Sequence, residues 1–446
     1  MLQSNVPNNI LQKSNNVKDS EQAILYKENI ANEILEFFKL YKIESKFEGY
    51  ENTCSTTRFN YSVPADINLK KLKSVEPNLK RFLQKNHAYI HTHVPNTSYI
   101  CVELVKASRG KVTLGDFTPY LSNTEDLLPI ALGKDVNNNN IIFDLAKAPH
   151  MLIAGTTGSG KSVVVNSIIN SLLYNFSSSE VQFLMIDPKM VELSIYNDLP
   201  NLIHPVVTKV DEAVKVLEFA CEEMDRRYVI LKEAKTRNIS TYNDNTTGKK
   251  MPFLVIVIDE YADLMLQAKK EIEESLSRLS SMSRAVGIHI ILATQRPSSD
   301  VVTGVIKANF PTRIACSVAS SVDSRVILGV SGAENLLGKG DMLFASPSFQ
   351  SIVRMQSPFI SEDEVKNVIS YLIEKDNDCE KISLGTNKKR EVKKATSKKY
   401  SQEQYDAAVY AMTKKGCYTS LHIQESIKVP LEVAKMILGD FLLEKV

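Results

Sequence analysis

Residues 155–162, GTTGSGKS, have the composition and spacing of a loop that binds phosphate. The string matches G-x-x-x-x-G-K-[ST] in full, and it lies between the apolar strand MLIAG and the helical pattern KSVVVNSIINSLL. Its glycines let backbone N–H groups turn toward phosphate oxygens, and a helix that begins at Lys161 directs its positive end at the same anion. A glycine-rich turn without a ligand is the alternative, and the complete, correctly flanked motif argues against it.

Each position of this loop has an expected role toward a bound nucleotide. Lys161 should reach the β- and γ-phosphates, and Ser162 should hold Mg²⁺. The predicted nucleotide-binding residues are Gly155, Thr156, Thr157, Gly158, Ser159, Gly160, Lys161, Ser162 and Val163.

Two carboxylates follow a second apolar strand, in the sequence FLVIVIDE at 253–260. Asp259 would lie at the carboxyl end of the sheet, where open α/β folds bind their ligands, and would hold the Mg²⁺ of the nucleotide. Glu260 would then orient or deprotonate the attacking water, a base that a hydrolytic motor needs and a nucleotide switch does not. Two solvated acids at a strand end are the alternative, which the upstream phosphate loop makes the weaker interpretation.

Polar residues end two further predicted strands. Thr294 and Gln295 follow HIILAT, and they would emerge beside Asp259 if the two strands are neighbours. There Gln295 can contact the γ-phosphate or the water, or equally form part of a strand-end turn. Asp187 and Lys189, in DPK after VQFLMID, also lie on the ligand edge, where a functional role and a local ion pair are about equally supported.

Several arginines are candidates for stabilising transition-state charge at a neighbouring subunit's site, where such a residue contributes large factors in rate. Most arginines of this kind are simply surface residues. We favour Arg313, although the sequence alone does not choose among the candidates. They are Arg284, Arg296, Arg313 and Arg325.

Short apolar runs that favour strands alternate with helical patterns between residues 131 and 375. Because the runs are continuous, we expect strands buried on both faces, in a parallel sheet covered by helices. One intervening helix shows an apolar stripe at helical spacing. The predicted strands are MLIAG (151–155), VQFLMID (181–187), FLVIVID (253–259), HIILAT (289–294), RIACSV (313–318) and DMLFA (341–345), and the stripe comprises Ile272, Leu276, Leu279, Met282 and Val286.

The composition is that of an ordinary globular protein. Of 446 residues, 43% are apolar and 24% are charged, and 54 basic against 52 acidic residues give a formal charge of +2. That charge neither implies nor excludes a nucleic-acid partner. The six cysteines form no CxxC pattern and suit a reducing cytosol, and no apolar run approaches the roughly 20 residues that span a bilayer. We therefore expect a cytoplasmic protein without a transmembrane segment in this chain.

Changes in composition along the chain predict five segments. GKDVNNNNIIFDL (133–145) is expected to form a hairpin at the start of the third segment, and the helical patterns of the last segment are compatible with a helix-turn-helix core. The segments are a disordered tail (1–19), a small α+β domain (20–130), the domain with the phosphate loop (131–375), a Lys-rich linker (376–399) and a helical domain (400–446).

From about residue 130 to 375 the chain resembles the FtsK/SpoIIIE family of bacterial DNA translocases. The resemblance is weaker over 40–130 and 400–446, which would correspond to the family's α subdomain and its γ winged helix. It rests on stretches such as DLAKAPHMLIAGTTGSGKSVVVNSIINSLLY (144–174), FLMIDPKMVELSIYNDLPNLIHPVVT (183–208), VIDEYADLM (257–265), RLSSMSRAVGIHIILATQRPSSDVVTGVIKANFPTRIACSV (278–318) and DSRVILGVSGAENLLGKGDML (323–343).

The resemblance implies a RecA-like P-loop ATPase core with a mainly parallel sheet, in subunits that close into hexameric rings around double-stranded DNA. It implies that Gly155–Ser162 bind ATP and that Asp259 and Glu260 drive its hydrolysis. The predicted function is an ATP-driven double-stranded DNA translocase in chromosome segregation and cell division or in DNA transfer by a mobile element, with division proteins or a site-specific recombinase as partners by analogy. Two alternatives stay open: a nucleotide-gated DNA-binding scaffold and a secretion-type ring ATPase.

The chain departs from the family pattern near both ends. Family members usually carry N-terminal membrane helices, so an anchor would be missing from this chain or lie on another polypeptide. The last domain stops about where a β-wing should begin, and Leu431, Glu432 and Lys435 stand where the family's γ domain reads bases. Because residues 400–446 carry five lysines against six acidic residues, we expect no basic DNA-reading surface there.

Overall fold

The computed structural model describes two compact units, Met1–Leu384 and Gly385–Val446. Most of the predicted linker and the positions Leu431, Glu432 and Lys435 lie outside the described residues. Among the helices that are described, none is both long and apolar enough to cross a membrane. The described residues are 4–14, 21–85, 87–92, 97–106, 110–375, 379–382, 402–415, 420–430, 433–434 and 437.

A small antiparallel sheet with helices packed against it begins the first unit. Its strands have the order β1-β2-β4-β3. Ile34, Phe37 and Phe38 of the first helix are buried at helical spacing and pack with Phe59 and Tyr61 of the second strand. The elements are α1 (Glu21–Leu40), β1 (Lys46–Asn52), β2 (Thr56–Ser62), α2 (Leu69–Ser74), α3 (Glu76–Phe82), β3 (Ala88–His91) and β4 (Tyr99–Val105).

A nine-stranded sheet forms the rest of this unit, with strand order β6-β5-β13-β12-β11-β7-β10-β9-β8. Its strands are β5 (Pro129–Asp135), β6 (Asn140–Asp144), β7 (His150–Ala154), β8 (Val181–Ile186), β9 (Phe253–Ile258), β10 (Ile288–Thr294), β11 (Thr312–Cys316), β12 (Asp341–Ala345) and β13 (Val353–Gln356). Its helices are α4 (Thr118–Ser122), α5 (Lys161–Asn175), α6 (Val210–Glu233), α7 (Ile239–Asn245), α8 (Tyr261–Gln267), α9 (Lys269–Met282), α10 (Gly304–Asn309), α11 (Ser321–Leu328) and α12 (Glu362–Lys375).

Five strands of this sheet are parallel, from β8 through β9, β10 and β7 to β11. The other four extend it in antiparallel fashion, and they include the predicted hairpin of β5 and β6. The six predicted strands are all present, and the predicted RecA-like architecture is confirmed. The sheet is mixed, however, because DMLFA (341–345) pairs antiparallel on both sides. An apolar run reports burial on both faces and does not report strand direction.

Alternate residues of the parallel strands point into two cores, one on each face of the sheet. On β7, Met151 and Ile153 pack with α5 and α12, whereas Leu152 and Ala154 pack with α6, α8 and α9. This arrangement explains why the strands read as continuous apolar runs. Within the predicted stripe of α9, Met282 differs from its neighbours, since it is 47% exposed.

Residues 4–14 pack against the large sheet's helices, although the sequence analysis assigns them to a disordered tail. Val6 and Leu11 are buried in the core that contains α5, and the N–H of Asn5 donates to the carbonyl of Tyr174 over 2.6 Å. A Cβ at Gly115 would lie 2.3 Å from the carbonyl oxygen of Gln12, so the segment approaches that backbone closely. Two buried apolar side chains, Val6 and Leu11, hold this polar segment against the core. The average composition of the segment does not reveal them.

A buried charge network joins the small sheet to the large one. Arg354 of β13 donates to Glu103 of β4 over 2.6 Å and forms two hydrogen bonds to Asp341 of β12, at 3.0 and 2.8 Å. Burial acts to raise the pKa of Glu103, but the neighbouring His91 and Arg354 lower it to about 2. Asp341 also accepts the N–H of Leu337, at the start of the loop that leads to β12.

We expect Arg354→Met to lower the free energy of unfolding by about 3–5 kcal/mol, because it leaves two buried carboxylates without their cation. Urea-induced unfolding followed by circular dichroism measures the change. Arg278→Met is the matched control, since Arg278 pairs with Asp225 at the surface and its loss should cost at most about 1 kcal/mol. Equal losses in the two variants would contradict the structural role of Arg354.

Two buried histidines predict that the fold weakens in mild acid. Burial lowers the pKa of His150 to about 3 and that of His289 to about 4. The neighbouring ring of His289 also lowers the pKa of His150, and the nearby Arg227 and Arg284 lower that of His289. Below the ordinary pKa of about 6.5 the unfolded chain takes up protons that the folded chain refuses, so stability falls as the pH drops from 6.5 toward 4. Each histidine contributes a slope of up to about 1.4 kcal/mol per pH unit.

Thermal unfolding between pH 7.5 and pH 5 measures this dependence. We expect His289→Gln to flatten the fall of the melting temperature over that range. The matched control is His87→Gln, which changes an exposed histidine of the small sheet's domain and should keep the wild-type slope. A slope that is identical in wild type and His289→Gln would show that His289 does not contribute.

The described residues of the second unit form α13 (Gln402–Lys415) and α14 (Ser420–Ile427). These helices agree with the helical patterns predicted for the segment, and residues 431–446 are described at only three positions. The helix-turn-helix interpretation therefore stays a prediction. A small apolar core holds the unit together and comprises Tyr405, Ala408, Ile423, Val429, Val433, Ala434 and Ile437.

Candidate active site

The candidate residues follow parallel strands and therefore lie at one edge of the large sheet. β7, β10, β9 and β8 are adjacent and run in the same direction, so the residues that follow them meet at their carboxyl ends. The N–H of Gly155 donates to the carbonyl of Thr294 over 3.2 Å, and that of Asp259 donates to Ile186 over 3.0 Å. The expectation that the strands before Asp259 and Gln295 are neighbours is confirmed.

The phosphate loop has the open backbone shape that anion binding requires. Gly158 and Gly160 have φ angles of +78° and +103°, which side chains other than glycine rarely adopt. A Cβ at Gly160 would lie 2.1 Å from the backbone nitrogen of Gly340, and that nitrogen donates to the carbonyl of Ser159 over 3.1 Å. A second glycine-rich loop, residues 338–340, therefore supports the phosphate loop from outside, backbone against backbone.

Lys161, the first residue of α5, forms a buried ion pair with Asp259. Its Nζ donates to Oδ1 over 2.6 Å and to the carbonyl oxygen of Asp259 over 2.8 Å, and the two side chains are 3% and 1% exposed. Burial raises the pKa of Asp259, although the ammonium of Lys161 acts in the opposite direction. Oδ2 of Asp259 is buried and has no hydrogen-bond partner among the described residues.

Glu260 is completely buried, and its carboxylate accepts hydrogen bonds from three groups. Thr294 Oγ1 donates to Oε1 over 2.7 Å, and Lys189 Nζ donates to Oε2 over 3.0 Å. The backbone N–H of Gln295 is shared between both oxygens at 3.2 Å each. The carboxylate is thus held in one orientation by β10 on one side and by the loop after β8 on the other.

Gln295 connects the end of β10 to the phosphate loop. Its backbone N–H contacts Glu260, and its side-chain Oε1 accepts a hydrogen bond from Thr157 Oγ1 over 2.8 Å. Thr294 and Gln295 are predicted beside Asp259, whereas in the structure both contact Glu260. Both residues lie at the predicted sheet edge, but they contact the residue that follows Asp259 in the sequence.

Asp187 shapes the loop that carries Lys189. Its buried carboxylate accepts four backbone N–H groups, at 3.0 to 3.1 Å, from Lys189, Val191, Glu192 and Leu193. Burial acts to lower the pKa of Lys189, but its hydrogen bond and charge interaction with Glu260 raise it above the usual value. Asp187 thus organises the backbone, whereas Lys189 contacts a site carboxylate.

A cavity of about 890 Å³ opens over the phosphate loop. One wall comes from residues that sequence reasoning did not connect with the site, because they lie far away in the chain. The only local signal was the pair of glycines around Lys339, which suggests a close backbone approach. These lining residues are Ser55, Gly110, Lys111, Val112, Leu337, Lys339, Gln356, Ser357 and Phe359.

Residues 118–299 match the FtsK/SpoIIIE family. That span includes the phosphate loop, Lys189, Asp259, Glu260 and Gln295. The chain contains an FtsK/SpoIIIE domain. The family resemblance stated from the sequence motifs is therefore confirmed.

The FtsK/SpoIIIE domain has similar relatives in several bacteria. Over 352 residues the chain is 43% identical to a protein of Leptospira interrogans named DNA translocase FtsK. The aligned region covers 77% of this chain and 37% of that protein. Over 317 residues it is 47% identical to the DNA translocase FtsK of Borreliella burgdorferi, covering 69% and 40% respectively. The chain thus spans less than half the length of these curated relatives.

A solved structure has the same fold. The pCW3 conjugation coupling protein TcpA, in its monomer form with ATPγS, superposes with a TM-score of 0.55 and is 27% identical. The match covers 76% of this chain and 97% of TcpA.

The structure does not bring Arg313 into the site of its own chain. Its guanidinium donates to three backbone carbonyls, those of Lys307 (2.5 Å), Phe310 (3.0 Å) and Ile327 (3.3 Å). These carbonyls lie in or beside the last turns of α10 and α11, so Arg313 satisfies helix ends. The other three arginine candidates are exposed: Arg284, Arg296 and Arg325.

The residues at the site fit a magnesium ion. Asp259 offers a buried carboxylate oxygen without a partner among the described residues, and Ser162, which follows Lys161, lines the cavity over the phosphate loop. One carboxylate and one hydroxyl, with phosphate oxygens and water, form the usual oxygen shell of Mg²⁺. Among the residues that the structure describes, no group of three or more His, Cys, Asp or Glu could hold a metal ion.

Proposed function

We propose that this site binds ATP and hydrolyses it, and that the chain uses the energy to move double-stranded DNA. The observation that carries the proposal is the meeting, at one sheet edge, of a phosphate-binding loop with Lys161, Asp259 and Glu260. A site that only bound nucleotide would need the loop and a metal ligand. Glu260 adds a fixed carboxylate beside them, which is the group that hydrolysis needs.

The chemistry follows from where the groups lie. An anionic phosphate in the cavity would compete with Asp259 for the ammonium of Lys161, and Asp259 and Ser162 are the residues that would hold Mg²⁺. The bound Mg²⁺ supplies positive charge that neutralises the phosphate oxygens. Glu260 accepts a proton from water as the water oxygen bonds to the γ-phosphorus. The bond from the γ-phosphorus to the bridging oxygen then breaks, which leaves ADP and phosphate.

DNA as the moved polymer and a ring as the working assembly belong to the proposal as well. The named function of the relatives, DNA translocase, supports DNA as the substrate, and their similarity extends over 69–77% of this chain. Repeated cycles of closure and release between subunits of a hexameric ring would step the ring along the duplex. An exposed arginine of the neighbouring subunit would stabilise transition-state charge, for which Arg284, Arg296 and Arg325 are better placed than Arg313. We place the protein in the cytoplasm.

Displacement of a triplex-forming strand tests the proposal. The full chain is mixed with duplex DNA that carries a labelled third strand at one end, and release of that strand is followed with ATP or with ATPγS. Translocation predicts release that depends on ATP hydrolysis and is similar for different duplex sequences. ATP hydrolysis without release would support a secretion-type ring ATPase, and DNA binding without hydrolysis would support a nucleotide-gated scaffold.

A further inference from the structure

The carboxylate that the proposed reaction needs as a base is inaccessible in this structure. Glu260 is 0% exposed, and its two oxygens, which have about four lone-pair sites between them, accept from Thr294, Lys189 and a shared N–H of Gln295. Water can neither reach this side chain nor find an oxygen that is free of strong donors. One of the three donors has to leave before Glu260 can take a proton.

The three donors differ in how easily they can move. The N–H of Gln295 is part of the backbone at the end of β10, and Thr294 is fully buried in that strand. Lys189 is the exception, since its side chain is 36% exposed and approaches Glu260 from the solvent side. A long, flexible side chain that is partly in water is the donor with the lowest cost of leaving.

The carboxylate of Asp263 is close enough to pair with the ammonium of Lys189 when it leaves Glu260. Nζ of Lys189 is 3.8 Å from Oδ2 of Asp263, which lies in the first turn of α8 and has a side chain that is 21% exposed. The backbone of Lys189 is anchored by Asp187, and Met190 beyond it is held at a φ of +57°. Because the main chain is fixed, the movement is confined to the lysine side chain.

We propose that Lys189 is a positioning residue that clamps Glu260 in the resting chain and releases it by moving to Asp263. This inference rests on the proposed hydrolytic function. With Lys189 on Glu260 the base is shielded from water, and with Lys189 on Asp263 one carboxylate oxygen loses its ammonium donor and can accept from water. The clamp thus limits hydrolysis until the ring has its DNA.

Phosphate release by the full chain, measured with saturating Mg-ATP and no DNA, tests the clamp. Lys189→Ala should raise this basal kcat about fivefold, the change that an ion pair of about 1 kcal/mol makes, and should leave KM unchanged. The ratio of DNA-stimulated to basal activity should fall by the same factor. Lys189→Arg, which keeps a cation on the clamp, should restore low basal activity.

Asp263→Asn should act in the opposite direction and lower the basal kcat, because it removes the second position of the lysine. When Lys189→Ala is already present, Asp263→Asn should not change the basal kcat further. If Asp263 only stabilised the fold, Asp263→Asn would lower the rate in both backgrounds. Lys73→Met is the matched control, since Lys73 forms an ion pair of 2.7 Å with Glu76 in the small domain, and it should leave all rates unchanged.

The outcomes separate the clamp from the function on which it rests. Phosphate release by wild type with an unchanged or lower basal rate in Lys189→Ala would overturn the clamp and leave the proposed ATPase intact. Equal effects of Asp263→Asn in both backgrounds would also overturn it. Absence of phosphate release from wild type, with or without DNA, would overturn the proposed function itself.

Discussion

Glu260→Gln is expected to lower the kcat of ATP hydrolysis by about 10²–10⁴ while ATP binding is retained. The glutamine side chain has nearly the same shape, and it can still accept from Thr294 or Lys189. It cannot accept a proton from water, and removal of a general base commonly costs this range in rate. Phosphate release and equilibrium binding of radiolabelled ATP, measured on the same sample, give the two quantities separately.

Glu233→Gln is the control for this variant, because Glu233 is an exposed glutamate at the last position of α6. It should hydrolyse ATP at the wild-type rate. The account would be wrong if Glu260→Gln kept more than about a tenth of the wild-type kcat, since general-base catalysis contributes more than that. Loss of ATP binding in Glu260→Gln would instead indicate that Glu260 organises the cavity.

Lys161→Ala is expected to remove both binding and hydrolysis of ATP. The ammonium is the one cation that the phosphate loop itself supplies, and a missing donor of this kind costs about 10²–10³ in kcat in addition to weaker binding. The variant should still fold, because burial already raises the pKa of Asp259, and without Lys161 that carboxyl can stay neutral by taking a proton. Calorimetric titration with ATPγS and a phosphate-release assay measure the two losses.

Circular dichroism and the melting temperature separate a lost site from a lost fold in this variant. Lys232→Ala, at an exposed position in the last turn of α6, is the matched control and should behave as wild type. Wild-type ATP binding by a folded Lys161→Ala protein would show that the triphosphate is held elsewhere in the cavity, for example by Lys339.

Local patterns were enough to predict which groups meet at the candidate site. The phosphate loop requires glycines at fixed positions, and the strand before Asp259 must be apolar on both faces, so both motifs are readable in short windows. Parallel strands then bring such motifs to one edge by topology, which is why Lys161 and Asp259 were expected to meet and do. The same reasoning located Asp187, Lys189 and Gln295 at that edge without giving their contacts.

Contacts between distant parts of the chain were not predictable from such patterns. The network of Glu103, Asp341 and Arg354 depends on how two sheets dock, and no local pattern pairs these three residues. The same holds for Ser55 and Phe359 in the cavity wall. Arg313 shows the opposite case, in which a residue suited to chemistry is used to satisfy helix ends.

The contacts of Glu260 also give a reason to expect slow ATP hydrolysis when the chain has neither DNA nor a neighbouring subunit. A carboxylate that is fully buried and held by Lys189 is positioned for catalysis and shielded at the same time. Under the proposed function, we expect tight binding of ATP with little turnover in the resting chain, and we expect DNA or a neighbouring subunit to release the base. A motor that works only on its polymer benefits from this separation of binding and hydrolysis.

The most direct measurement is phosphate release by the unmodified chain from Mg-ATP, with and without long duplex DNA. The account predicts a low basal turnover that rises when duplex is added and that disappears when Mg²⁺ is chelated. ATP that is bound stoichiometrically but never cleaved, with or without DNA, would contradict the hydrolytic role assigned to Glu260 and the translocase built upon it.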